Sequence, residues 1–292
     1  MLLFPTKLDA DLTGVPLVTT LVGLLCVLLF LVQALSWESY ESNIENFCQH
    51  EVRGQLARQL SRNECVTLMV KLDFSSDPLV ALERLQQQNF GSYDSQDILT
   101  AFQRMQQIVP DPAAKQWWFA PGERNPFQAL SASVTHTSIG QLSFNLVFFF
   151  AFAISAELLL GHWRFSMFIV ASAVVSVFIN DGLLRASHIV QPTLGLTGVV
   201  TATMVLVTLV YPHRFLRIFF WLVFISGTFR LPLLLVSVGY LSSDVYSVAT
   251  NNDFSRINLG AHVGGTLCGV ATALILALVR ALRKNRASSI KK

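Results

Sequence analysis

Long apolar runs alternate with a single long polar stretch along this chain, and the runs predict membrane-spanning helices. Residues 17–37 form one run of spanning length. Residues 142–160 and 163–184 form two more, separated only by Gly161-His162. A fourth opens at Gly195 and ends near Pro212, and the last covers 259–279. The apolar residues 215–240 are awkward as one helix, because Arg230 falls in the middle, where a charge costs several kcal/mol. The pattern therefore predicts an interfacial helix over 215–227 and a fifth span starting near Leu231. The first run is over-long for a signal peptide and has no evident small-residue cleavage site, which predicts an uncleaved span.

Between spans one and two the character changes for roughly a hundred residues, rich in Gln, Ser, Asp and Arg but with apolar positions for a small helical domain. Asp77-Pro78 followed by Leu79, Val80, Leu82 and Leu85 predicts a helix start: a cap, Pro in the first turn, then an apolar stripe. Residues 98–108 predict another short helix. Cys48 and Cys65 are the only cysteines of this segment; if it faces an oxidising space, they are expected to lie close enough to bridge. Trp117-Trp118-Phe119 suits either an interfacial anchor or a small aromatic core.

Composition agrees with the pattern. Of 292 residues 52% are hydrophobic and 13% charged, with mean hydropathy +0.52; a soluble domain carries about 25% charged residues. The expected fold class is an all-α polytopic membrane protein. The net charge of +3 is too small, and too concentrated at the C-terminus, to suggest nucleic acid. That tail carries Arg280, Arg283, Lys284, Arg286, Lys291 and Lys292, and short basic segments stay in the cytoplasm. Six spans then place both termini inside, in agreement with Arg164, Arg214 and Arg217, and place the polar segment outside. The expected organisation is a cytoplasmic N-terminus and first span (1–37), an extracytoplasmic loop domain (38–135), a membrane core (136–281) and a basic cytoplasmic tail (282–292). A plasma membrane, or bacterial inner membrane, suits this layout.

Two glycine-flanked polar groups open spans four and six: Thr197 in Gly195-Leu196-Thr197-Gly198, and His262 in Gly260-Ala261-His262-Val263-Gly264-Gly265. Polar groups inside a span are costly and mark function. From Thr197 to Arg214 is 17 residues, from His262 to Arg280 18, and from Asn145 to Arg164 19. At 1.5 Å per residue all three lie about 25–29 Å above the cytoplasmic arginines, at one level. A hydroxyl becomes a nucleophile when a base takes its proton, and imidazole titrates in the right range. No carboxylate falls at this level on spans two, four or six, and Asp181 at the end of span three is the nearest, which predicts a dyad. Asn145, Gln141 and His136 line the start of span two as candidate oxyanion donors; Gln141 and Asn145 are four apart and share a helix face.

The set His136-x4-Gln141-x3-Asn145, Glu157-x3-Gly161, Gly195-Leu196-Thr197-Gly198 and Ala261-His262-Val263-Gly264-Gly265, in this order, resembles the rhomboid intramembrane serine proteases. The likeness covers spans two to six. It implies a six-helix bundle, with the long polar segment as an expanded first loop. It also implies Thr197 at the nucleophile position, His262 as base, and Asn145, Gln141 and His136 as oxyanion donors. Two positions depart from the family. Thr197 stands where the family has Ser, and Gln141 where it usually has a second His. Gln141 still donates through its amide; the γ-methyl of Thr197 restricts χ1 and crowds a site between two glycines.

Two function classes follow. One is an endopeptidase that cleaves transmembrane substrates near the outer face of the membrane. The other is a catalytically inactive relative that binds transmembrane clients. The dyad partner His262 favours the first and Thr197 the second. A transporter fits less well, because the spans show no internal repeat. No cofactor or metal enters either reading.

Overall fold

The computed structural model describes residues 2–8, 14–52, 56, 60–75, 77–87, 94–120, 122, 124–186, 192–222, 225–251 and 259–290. The chain divides into two compact units, Leu31–Trp117 and the remainder, Met1–Phe30 with Trp118–Lys292. Helix α1 (Leu17–His50) contributes to both.

In the Leu31–Trp117 unit, α2 (Arg62–Asp73), α3 (Pro78–Gln87), α4 (Ser95–Ile108) and α5 (Ala113–Trp117) join the distal part of α1. The predicted cap of α3 is present: Asp77 Oδ1 accepts from the Leu79 and Val80 N–H groups. Helix α2 opens with a reciprocal Ser61–Glu64 capping box. The core gathers Ile44, Phe47, Leu68, Met69, Leu72, Leu82, Ile98 and Phe102. Cys48 and Cys65 form a disulfide with Cα atoms 6.0 Å apart, closing a link between α1 and α2 as expected. Asp73 is buried, accepting from the Tyr40 hydroxyl at 2.5 Å and from Lys115 Nζ at 2.8 Å. Burial alone would lower the Lys115 pKa, but Asp111 and Asp73 outweigh it and hold the ammonium above its ordinary value.

The larger unit contains α6 (Pro126–Val134), α7 (Ile139–Leu160), α8 (His162–Ala186), α9 (Thr197–Val210), α10 (Leu233–Asn251) and α11 (Leu259–Ile290). By length and composition α1, α7, α8 and α11 are long and apolar enough to cross a membrane; α9 and the apolar Leu233–Ser242 of α10 are shorter. Helix α9 is central, buried from Gly198 to Thr208, as expected of a helix apolar on all sides. Its inner hydroxyls are satisfied: Thr201 and Thr203 donate to backbone carbonyls, and Thr208 bonds Ser237 of α10 at 2.6 Å.

Close contacts fix the helix directions. Gly265 meets Gly198 and Gly269 meets Ala202, so α11 runs parallel to α9. Gly264 meets Ser176 while Gly260 meets Asn180, so α8 runs against α11. The two glycine spacings of α11 thus serve different neighbours: Gly265 and Gly269 admit α9, whereas Gly260 and Gly264 admit α8.

Helix α1 is tied to the end of α7 by Glu157, which is 0% exposed. Its carboxylate accepts from the Val18 N–H (2.8 Å), the Thr19 N–H (2.7 Å) and the Thr19 hydroxyl (2.7 Å), and His162 Nδ1 donates to it at 2.6 Å. It therefore caps the orphan donors at the start of α1 across 138 residues of sequence. We expect Glu157→Ala to cost about 3–5 kcal/mol, because the two buried Thr19 donors and the half-buried Val18 N–H lose their acceptor. A lowered Tm of the detergent-solubilised protein measures it; an unchanged Tm would show the cap to be dispensable.

The all-helical expectation is corrected in one region. Residues 2–8 (β1, Leu2–Leu8), β2 (Phe215–Leu222) and β3 (Ile225–Pro232) form an antiparallel sheet in the order β1-β2-β3, in place of the interfacial helix expected over 215–227. Aromatic and β-branched residues favour strands, and a period of two places Leu216 and Ile218 against the core with Arg217 on the other face. A helix would hold Arg217 beside Leu216. Helix α10 runs on through Asp244 to Asn251; residues 252–258 lie outside the described residues.

Candidate active site

The loop before α9 is held from three sides. Phe119 and Thr193 exchange backbone hydrogen bonds at 3.1 and 3.0 Å. Asn180 Nδ2 donates to the Thr193 hydroxyl at 2.9 Å, and the Gly195 N–H donates to the Ala132 carbonyl at the end of α6 at 2.8 Å. Phe119 is fully buried and edge-on to Phe178, so it belongs to a small core with Ala129, Ala132 and Val177. Gly195 adopts φ +107°, which side chains rarely tolerate.

The missing side chain of Gly195 marks the site. A Cβ there would lie 2.8 Å from Gln141 Nε2, 3.4 Å from Thr197 Oγ1 and 3.6 Å from Asn145 Nδ2. The hydroxyl and both amides thus converge on one point. The Gln141 orientation follows from its partners: Oε1 accepts from the Thr137 N–H and hydroxyl, each at 2.9 Å, leaving the amide N–H₂ towards Gly195. Thr197 Oγ1 and Asn145 Nδ2 are buried with no hydrogen-bond partner among the described residues. Helix α9 starts without a side-chain cap, so its N-terminal dipole end adds positive potential beside Thr197.

His262 stands in the first turn of α11, 6% exposed. Its neighbour Ala261 brings a carbonyl oxygen within 3.1 Å of where a Gly198 Cβ would sit, so the two motifs abut. Tyr240 of α10 lies over the imidazole, ring centroids 5.3 Å apart, with its hydroxyl 3.5 Å from Nε2. Thr197 makes no hydrogen bond to His262; such contacts are often long before substrate binds. Gly198 and Gly264 both pack against Ser176, and Gly265 against Gly198. Asp181 is committed elsewhere, accepting from the Gly122 N–H at 2.9 Å and pairing with Arg185.

Tyr240, Thr137, Asn180 and Thr193 are contributors that the sequence reading missed. Only Tyr240 carried a signal, as a lone aromatic hydroxyl inside an apolar run after Gly239.

His136 lies ahead of α7 and is 2% exposed. Burial pushes its pKa down to about 4, although a hydrogen bond with the Val134 backbone pulls the other way. The imidazole is therefore neutral and competent to donate one hydrogen bond. Because the folded pKa lies below the unfolded value, the unfolded chain binds the proton first as pH falls. Stability is complete above about 6.5 and is lost towards pH 4, by up to about 3 kcal/mol. We expect the Tm to fall over that window, and the fall to shrink in His136→Gln.

The family model of the Rhomboid domain matches residues 123–279. The chain belongs to the rhomboid family. Comparison with curated proteins gave no match.

Proposed function

We infer that this chain is an intramembrane endopeptidase that cleaves transmembrane substrates near the outer face of the membrane. The observation that carries the reading is the convergence of Thr197 Oγ1, Gln141 Nε2 and Asn145 Nδ2 at Gly195, with Ala261-His262 against Gly198. His262 takes the Thr197 proton as the hydroxyl attacks the scissile carbonyl, and returns it to the leaving amine. Gln141, Asn145 and the start of α9 stabilise the oxyanion, and water, with His262 again as base, hydrolyses the acyl-enzyme. In this reading α1 and α7–α11 are six spans with both termini cytoplasmic. The polar segment is an extracytoplasmic loop domain, which reaches substrates outside the bilayer.

A fluorophosphonate probe on the detergent-solubilised protein tests the reading. Labelling that disappears in Thr197→Ala and in His262→Ala supports it. A second reading, a non-catalytic binder of transmembrane clients, is favoured by the extra methyl of Thr197 and by the open Thr197–His262 hydrogen bond. No labelling of any form would support that one.

A further inference from the structure

The far end of α11 carries a row of cations. Arg280, Arg283, Lys284 and Arg286 are all exposed, and among the described residues none of them has a hydrogen-bond or ion-pair partner. No Asp or Glu occurs from Leu259 to Lys292. Arg283 and Lys284 stand three and four residues beyond Arg280, so the three share one helix face, where like charges repel. The negative end of the helix dipole offsets charge only in the last turn, and α11 continues to Ile290.

The opposite face is apolar. Leu274, Leu278 and Leu282 follow one another at intervals of four, each more than half exposed. Leu278 stands two residues before Arg280 and Leu282 two before Lys284, about 200° around the helix in each case. The leucine ridge therefore runs on beside the cations instead of stopping short of them. A soluble acidic partner would leave Leu278 and Leu282 in water. A bilayer surface takes the leucines into its acyl edge and offers phosphates to the cations. The heights agree. Gly265 and Gly269 lock α11 against α9, and the helix is continuous beyond them, so the cations keep fixed levels. Arg280 to Lys284 spans about 6 Å, and a headgroup layer is about 5–8 Å thick.

We propose that the Arg280–Arg283–Lys284 face of α11 binds the phosphate headgroups of anionic lipids in the leaflet at this end of the bundle. The inference rests on α11 crossing the bilayer and not on the Thr197 chemistry, so Thr197→Ala leaves lipid binding intact. Salt screens the attraction.

The full chain, purified in neutral detergent with equal phosphatidylglycerol and phosphatidylcholine, is analysed for retained lipid by native mass spectrometry. Preferential retention of phosphatidylglycerol is expected, reduced about 10-fold or more in Arg280→Gln/Arg283→Gln/Lys284→Gln and kept in Arg280→Lys/Arg283→Lys. Arg217 and Arg230 of the sheet already interact within the protein, so Arg217→Gln/Arg230→Gln should retain the preference. A loss as large in that variant overturns the proposal, because net charge alone then governs retention. Equal retention of both lipids also overturns it, as does a preference unchanged by the three Gln substitutions. Inorganic phosphate that strips the lipid at equal molarity overturns it too, because the site is then one for free anions.

Discussion

Thr197→Ser is expected to raise cleavage of a transmembrane reporter, on the order of 10–100-fold. The Thr197 hydroxyl is 3.4 Å from the point that a Gly195 side chain would occupy, and the adjacent Gly198 is wedged between Ser176 and Ala261. Threonine places a methyl on the same carbon as the hydroxyl and limits the rotamers that reach His262, and a displacement of about 1 Å in a nucleophile costs about 100-fold. Serine removes the methyl and keeps the chemistry. Thr197→Ala and His262→Ala should each abolish cleavage, because either removes half of the dyad. Turnover that survives His262→Ala would eliminate the dyad. A rate of zero for all forms, Thr197→Ser included, would assign the chain to the client-binding class.

Gly265→Ala should have the largest structural effect of any single methyl in the bundle. The added Cβ would run into the Gly198 carbonyl oxygen and lie 3.1 Å from the Ala202 nitrogen. Both are backbone atoms, so no rotamer change relieves the collision and α9 must move off α11. Overpacking costs about 1–3 kcal/mol where side chains can yield, and more where they cannot. The same movement separates Thr197 from His262, so activity should fall by more than the loss of folded protein explains. Gly239→Ala is the control. Nothing lies within 4 Å of its Cβ position, and alanine in a helix interior is favoured over glycine by about 0.5–1 kcal/mol. A Gly265→Ala protein with normal Tm and normal rate would mean that the helices tolerate a wider spacing.

The apolar helices were legible because run length and the lack of charge are local properties: α7 and α8 lie within three residues of the predicted bounds, on either side of Gly161. Thr197 and His262 were legible as polar groups among glycines. What escaped depends on partners far away in sequence. Arg230 signalled a break in the fifth apolar run, but strand pairing with residues 2–8 lies more than two hundred positions off and leaves no periodic trace. Glu157 appeared only as part of a motif, since nothing local says that its acceptors are needed at Val18 and Thr19. The two glycine spacings of α11 predicted close packing; that one faces α8 and the other α9 follows from the rotation of the helix, which spacing alone does not specify. Phe119 took the core alternative because Thr193 offered it a backbone partner.

The long reach of Glu157 has a consequence for synthesis. Thr19 leaves the ribosome 138 residues before its acceptor. At about 5–20 residues per second, that is a wait of roughly 7–28 s. During this interval the first helix has no docking partner for its leading end, and its uncapped amides must stay in water or at the interface. Final seating of α1 is therefore a late event in biogenesis, and a chain stalled before the α7–α8 turn would present its earliest-made helix to any factor that surveys nascent membrane segments.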